Sequence, residues 1–218
     1  MSTIRQDGIP EALVSYIESE IIPAYDNFDS AHGREHVRHV IDEALKLCRH
    51  YDVDEAIVYT AAAFHDTGLV KDRKTHHIES ARIIREDPRL REWFNDNEIE
   101  TMAEAAEDHR ASSVHEPRSI YGKLIAEADR QIVPETVIRR CIQFGLEHCP
   151  GLDMEAQYER ATAHLEGKYG EGGYLRLWIP ESENALRLNE LRAIIKDIPR
   201  LREIFGRIYG EEVCRNLR

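Results

Sequence analysis

The sequence predicts an all-α fold, one helical bundle taking in residues 1–218. Apolar residues recur at helical spacing through most of the chain, and most of these segments open on an Asp, Ser or Pro suited to a helix start. Alternation of period two is scarce, so strands are not expected to build the core.

Taken in order, the first helix is expected from Pro10 to about Ile22, with Leu13, Ile17 and Ile21 on one face and Pro23 closing it. The second is expected from about Gly33 to His50, its stripe formed by Val37, Val40, Ile41, Ala44, Leu45 and Cys48. A third opens on an Asp54 cap, carries Ile57, Val58, Ala61 and Ala62, and meets a stop at Thr67-Gly68. Further helices are expected near 76–86, 98–110, 119–131, 134–148 and 153–166, with Pro88 and Pro134 at first-turn positions. The glycine-rich stretch from Gly167 to Gly173 reads as a loop, and the alternating Tyr174-Leu175-Arg176-Leu177-Trp178 after it marks a short strand or hairpin near 169–179. Leu188, Leu191, Ile194, Ile195 and Ile198 precede Pro199, and Leu201, Ile204, Phe205, Ile208 and Tyr209 follow it, so Pro199 should kink or divide the last helical region. The likeness between the segments beginning at Pro88 and at Pro199 is too short to be a repeat.

With 218 residues, 42% of them hydrophobic, the chain is long enough for a full core. Its 29 Lys and Arg against 41 Asp and Glu give a formal charge of -12, which argues against general attraction to a nucleic-acid polymer or an anionic membrane. Cys48, Cys141, Cys149 and Cys214 form no C-x-x-C pair and fit a reducing cytoplasm. The first twenty residues carry Asp7, Glu11, Glu18 and Glu20 without a basic leader, and no apolar run is long enough for a membrane span, so an untargeted cytoplasmic protein is expected.

Polar residues interrupt the apolar stripes at a few places, and these places share one chemistry. His65 continues the line of Ile57 and Ala61, Asp66 that of Val58 and Ala62, His36 lies one turn before Val40, His109 follows Met102 and Ala106, and Asp129 follows Tyr121 and Ile125. His39 falls instead on the wetter side of its helix, one turn before Glu43. A buried carboxylate costs several kcal/mol without a partner, and two close together repel. A divalent cation removes both penalties. Two imidazoles and two carboxylates suit Mn, Fe, Co or Ni with positions open to water or substrate, whereas a closed structural zinc site usually recruits cysteine.

The order His36, His65-Asp66, Asp129 resembles the HD-domain superfamily, in particular its small single-domain bacterial members. The wording around the residues agrees: Ala-His-Gly-Arg-Glu-His-Val-Arg-His-Val about His36, Ala-Ala-Ala-Phe-His-Asp-Thr-Gly about His65-Asp66, and Ile-Ala-Glu-Ala-Asp-Arg about Asp129. The resemblance covers a core of about 30–135 and leaves 136–218 as a helical extension. It implies a helical, metal-dependent phosphohydrolase acting on a small phosphorylated substrate such as a nucleotide, with His36, His65, Asp66 and Asp129 binding one metal. Further histidines of the family fall here at His76 and His109. In that case Asp66 would bridge two ions, although periodicity does not decide between His76 and its neighbour His77. The chain lacks the Gly-Tyr-Pro and the lysine that mark cyclic-dinucleotide phosphodiesterases, having Leu69 at the latter position, and lacks the Glu-Asp pair of alarmone hydrolases.

A metal held by these residues would acidify water and polarise a phosphoryl oxygen, with Asp66 at the centre of catalysis and no side-chain nucleophile required. Lys71, Arg73 and Lys74, joined by Arg110 and Arg130, are candidates to hold the phosphate. His32 is a candidate proton donor, Asp72 and Glu79 are candidate bases, and Lys168 and Arg176 flank the glycine-rich stretch where they could close over substrate. Two other readings stay open: a diiron oxygenase built from His36, His65, Asp66, His76, His109 and Asp129, and a regulatory module that binds a ligand without turning it over.

Overall fold

The computed structural model describes residues 8–29, 32–113 and 115–216, with the side chain of residue 216 left aside. Asp7 and Ala31, both used in the sequence reading, lie outside the described residues. Among the described residues the architecture is all-α, with ten α-helices and no strand. No described helix is long and apolar enough to cross a membrane. Contacts gather the chain into two compact units, one of residues up to Arg130 together with Trp178–Ser182, the other of Gln131–Leu177 and Glu183–Arg218.

The first unit is built around α3 (Glu55–Phe64), in which every residue from Ala56 to Phe64 is buried. Its run Ala61-Ala62-Ala63 has almost no side-chain bulk, and α2 (Arg34–Cys48), α5 (Asp96–Asp108) and α6 (Ile120–Asp129) all pack against the helix. Asp54 caps α3 as expected, its Oδ1 accepting the N–H groups of Ala56 at 2.7 Å and Ile57 at 3.4 Å. α4 (His76–Glu86) lies against α5 and against the short 3-10 turn Thr67–Val70.

The first expected helix is not continuous. It runs as α1 (Glu11–Tyr16), a π-helical turn Ile17–Ile21 and a 3-10 turn Ile22–Asn27. The wide turn shifts the register, so that Ile22 and Tyr25 are buried and Ile21 is only partly so. Pro23 sits inside the 3-10 turn rather than closing the helix.

In the second unit, α7 (Pro134–His148), α8 (Met154–Tyr169), α9 (Asn184–Lys196) and α10 (Ile198–Asn216) pack Ile138, Ile142, Leu165, Leu191, Phe205 and Ile208 into a core of their own. Pro199 does divide the region: α9 stops at Lys196 and the proline falls in the first turn of α10, where its missing N–H costs nothing. The parallel segment at Pro88 opens only a 3-10 turn, Pro88–Glu92.

The strand expected near 169–179 is absent. Backbone donors there are taken by other partners: Tyr174 N–H bonds Gly167 O at 3.1 Å, Leu175 N–H bonds Lys168 O at 3.0 Å, and Trp178 N–H is accepted by the Glu127 carboxylate at 2.6 Å. With these groups bonded to helix ends and a side chain, no ladder forms. Glu127 is fully buried on α6 and also accepts from Ser182 Oγ at 2.6 Å, which pins Trp178–Ser182 to the first unit.

Candidate metal centre

The first unit brings six of the residues singled out from the sequence to one place. His36 lies in the first turn of α2, His65 is the residue on which α3 ends, Asp66 follows it, His76 opens α4, His109 ends α5, and Asp129 ends α6. The side chains of His36, His65, Asp66 and His109 are almost wholly buried, and that of Asp129 is a quarter exposed.

Asp66 divides the cluster between its two oxygens. Oδ2 lies 3.2 Å from His65 Nε2 and 3.5 Å from His36 Nε2. Oδ1 lies 3.3 Å from His76 Nε2 and 3.5 Å from His109 Nε2. Asp129 joins the first side, its Oδ1 3.3 Å from His36 Nε2 and 3.9 Å from His65 Nε2. In each of the two triads, His36-His65-Asp66 and Asp66-His76-His109, the donor atoms lie within 4.8 Å of one another. Of the adjacent pair, it is His76 and not His77 whose ring nitrogen meets Asp66.

The tautomers follow from helix geometry. A helix end leaves its last carbonyls unbonded, and His65 and His109 use this: Nδ1 of His65 meets Ala62 O at 2.7 Å, and Nδ1 of His109 meets Ala106 O at 2.5 Å. His76 makes the same bond, three residues back, to Arg73 O at 2.7 Å. With its N–H given to a carbonyl, each ring turns an Nε2 lone pair inward, the arrangement a metal-ligating histidine needs. His36 stands near the start of its helix, and its Nδ1 is buried with no hydrogen-bond partner. The inward nitrogens crowd: His36 and His65 Nε2 are 3.3 Å apart, and His76 and His109 Nε2 are 3.1 Å apart.

The charges are strongly coupled. Burial alone would raise the Asp66 carboxyl, but His65, His109 and His36 outweigh it and hold Asp66 well below the usual carboxylate range. Burial opposes charge on His36 too, yet its hydrogen bonds to Asp129 and Asp66 carry it from 6.5 up to about 9. Asp129 is likewise held down by His36, against the effect of burial. His76 goes the other way, lowered to about 4 by burial and by the neighbouring His109.

Three supporting residues escaped the sequence reading. Tyr25 hydroxyl donates to Ala63 O at 2.9 Å and accepts Asp66 N–H at 3.3 Å, clamping the His65-Asp66 corner. Ser80 Oγ accepts the Gly68 N–H at 2.9 Å. Gly68 was read as a helix stop, but what its lack of a side chain permits is contact: a Cβ there would stand 2.0 Å from His76 O and 2.6 Å from Ser80 N. This close approach seats the first turn of α4, and with it His76. Only spacing across the fold reveals such a need.

The other candidates make bonds of their own outside the cluster. His32 Nδ1 bonds Asp29 Oδ1 at 2.7 Å, and its ring stands edge-on to His36 with centroids 5.8 Å apart. Asp72 is exposed and accepts Lys74 N–H at 3.2 Å, and Glu79 is held by Lys71 at 3.1 Å and by Arg82; neither carboxylate forms an ion pair with the clustered histidines. Arg73 reaches Asp29 at 3.3 Å, Arg110 donates to Lys74 O at 2.7 Å, and Arg130 turns back to the Ala126 carbonyl. Lys168 and Arg176 belong to the second unit, the first over the Tyr169 ring and the second bonded to Gly173 O at 2.7 Å.

Comparison with protein families matched residues 33–131 to the model described as HD domain. Neither the curated proteins nor the solved structures gave a match.

Proposed function

We propose that this protein, whose residues 33–131 match the HD-domain model, is a phosphohydrolase of a small phosphate ester, with two divalent cations held around Asp66. One observation carries the reading: the two oxygens of a single buried carboxylate face two separate pairs of inward-turned histidine nitrogens.

The residues fit such cations on their own chemistry. Four Nε2 atoms converge in close pairs, three with tautomers already fixed, beside two ionised carboxylates and no cysteine. His36, His65, Asp129 and Asp66 Oδ2 would hold one ion, and Asp66 Oδ1, His76 and His109 the other. Mn, Fe, Co or Ni suits the mixed nitrogen and oxygen donors. Such ions, when bound, supply the Lewis acidity that makes water nucleophilic near neutral pH and draws charge from a phosphoryl group.

The rest falls to the chain. Asp66, kept ionised, balances charge on both sides. The apolar walls of α3 and α5 exclude bulk water, and solvent and substrate would enter beside Asp129, the most open ligand candidate of the first side. Hydrolysis forms a bond from water oxygen to phosphorus and breaks the bond from phosphorus to the leaving oxygen, which then needs a proton. His32, bonded to Asp29 at Nδ1 with its ring against that of His36, would deliver it from Nε2.

The test is a screen of nucleotides and sugar phosphates with metal-stripped protein resupplied with Mn, Fe, Co or Ni, read by released phosphate. Turnover that depends on metal supports the proposal. Two bound irons with a mixed-valence spectrum and no phosphate release would replace it with oxygenase chemistry, and a ligand bound but recovered intact would replace it with a regulatory role.

A further inference from the structure

Of the five cations singled out as candidates to hold the phosphate, three are engaged: Lys71 with Glu79 at 3.1 Å, Arg73 with Asp29 at 3.3 Å, and Arg130 with the Ala126 carbonyl. The remaining two, Lys74 and Arg110, have no carboxylate within ion-pair distance among the described residues. They are also one group, because Arg110 Nη1 donates to the Lys74 backbone oxygen at 2.7 Å.

Their place is set by the histidines. Arg110 directly follows His109, and Lys74 stands two residues before His76, in the turn whose Arg73 carbonyl anchors the His76 ring at 2.7 Å. The bond from Arg110 Nη1 to Lys74 O therefore sets the Arg110 guanidinium beside the turn that anchors His76. In a chain of net charge -12, two cations left without a carboxylate ion pair in one part of the fold gain from an added anion. A single N–H of the Arg110 guanidinium is used by Lys74 O, so its planar fork keeps donors for two oxygens of one phosphoryl group.

We infer that Arg110 and Lys74 form a subsite for a second phosphoryl group, linked in chain to the one that is cleaved. The substrate class is then a phosphate chain, carried by a nucleoside or free, rather than a simple monoester. The inference rests on the phosphohydrolase reading for its meaning, but the subsite can be measured without turnover.

The experiment titrates inorganic tripolyphosphate into protein stripped of metal by EDTA, by calorimetry at low salt. Arg110→Gln is expected to weaken binding on the order of tenfold or more and Lys74→Gln by about threefold, with Arg110→Lys recovering part of the loss. Lys74 is exposed, so its substitution tests the subsite even should the Arg110 variants fold poorly. A nucleoside triphosphate that binds more tightly than tripolyphosphate would assign the chain to a nucleotide, and equal binding to the phosphates alone; either supports the subsite. With metal restored, kcat/KM for the nucleoside triphosphate should fall in Arg110→Gln at least tenfold further than for p-nitrophenyl phosphate. Unchanged tripolyphosphate affinity in both Gln variants overturns the inference, as does an equal proportional loss on the two substrates. Absence of phosphate release from either substrate in the unaltered protein would instead sink the hydrolase reading, with the titration still deciding the subsite.

Discussion

Oδ1 of Asp66 lies 3.3 Å from Nε2 of His76, while the other oxygen of the same carboxylate is turned to His65 and His36. One residue thus serves both sides of the cluster, and the sides should respond differently to mutation. Asp66→Ala is expected to lose nearly all bound metal on both sides, and His76→Ala only the share held on its own side. Elemental analysis after gel filtration measures this, with circular dichroism to confirm that the helices persist. Full metal content in Asp66→Ala would remove the centre from consideration.

Gly68 supplies a test of how α4 is seated. A methyl group at this position would meet backbone atoms, His76 O at 2.0 Å and Ser80 N at 2.6 Å, and backbone cannot swing aside as a side chain does. Gly68→Ala should therefore cost about 1–3 kcal/mol or more in urea unfolding, the usual range for overpacking. It should also lower metal uptake on the His76 side more than on the His36 side. A variant as stable as the parent would mean that the 3-10 turn and α4 do not approach so closely.

Tyr25 holds the corner between α3 and Asp66 through its hydroxyl. Burial and the nearby Asp66 charge keep that hydroxyl protonated by raising its pKa well above 10.0. Tyr25→Phe keeps the ring but leaves the Asp66 N–H and the Ala63 carbonyl without this partner. Loss of about 1–3 kcal/mol is expected, as for buried polar groups left unsatisfied. Chemical denaturation of the two proteins decides it, and a difference near zero would show that the clamp contributes nothing.

Much of this was legible in the sequence because helical stripes report burial directly. His65, Asp66 and His109 stand out as polar residues continuing the apolar lines of Ala61, Ala62 and Ala106, and all three are buried. What the stripes could not carry is information that depends on distant backbone. The π turn at Ile17–Ile21 leaves no mark in composition, so the register change that buries Tyr25 is invisible before folding. The alternation from Tyr174 to Trp178 looked like a strand because side chains alternate in many extended segments. Whether a ladder forms depends on partners, and here the partner is the carboxylate of Glu127, about fifty residues away in the chain. The choice between His76 and His77 was likewise open to periodicity and turns on which ring meets Asp66.

The charge pattern predicts how stability of the metal-stripped protein varies with pH. His36 is raised from 6.5 to about 9, so the folded state binds its proton more tightly than the unfolded chain does. That contribution is complete below pH 6.5 and is lost as pH rises through about 9, amounting to roughly 3 kcal/mol at 1.36 kcal/mol per unit. Asp66 and Asp129 act in the opposite sense: with carboxyls held below 3.8, they stabilise above that value, and the gain fades as pH falls further. His76, lowered to about 4, adds to the acid-side loss, because the folded state resists the proton that the unfolded chain accepts from 6.5 downward. The stripped protein should therefore show its highest melting temperature near neutral pH and decline on both flanks. His36→Gln should reduce the alkaline decline, which His109, raised as well, shares, and should shrink the acid flank to the part that does not depend on His36, the His76 share included. Metal must displace the His36 proton to bind, so metal affinity should climb as pH rises toward about 9. Melting curves from pH 5 to 10, with and without saturating manganese, test all three statements. An alkaline flank of equal slope in the His36→Gln variant would show that the proton on His36 is not what the folded state retains.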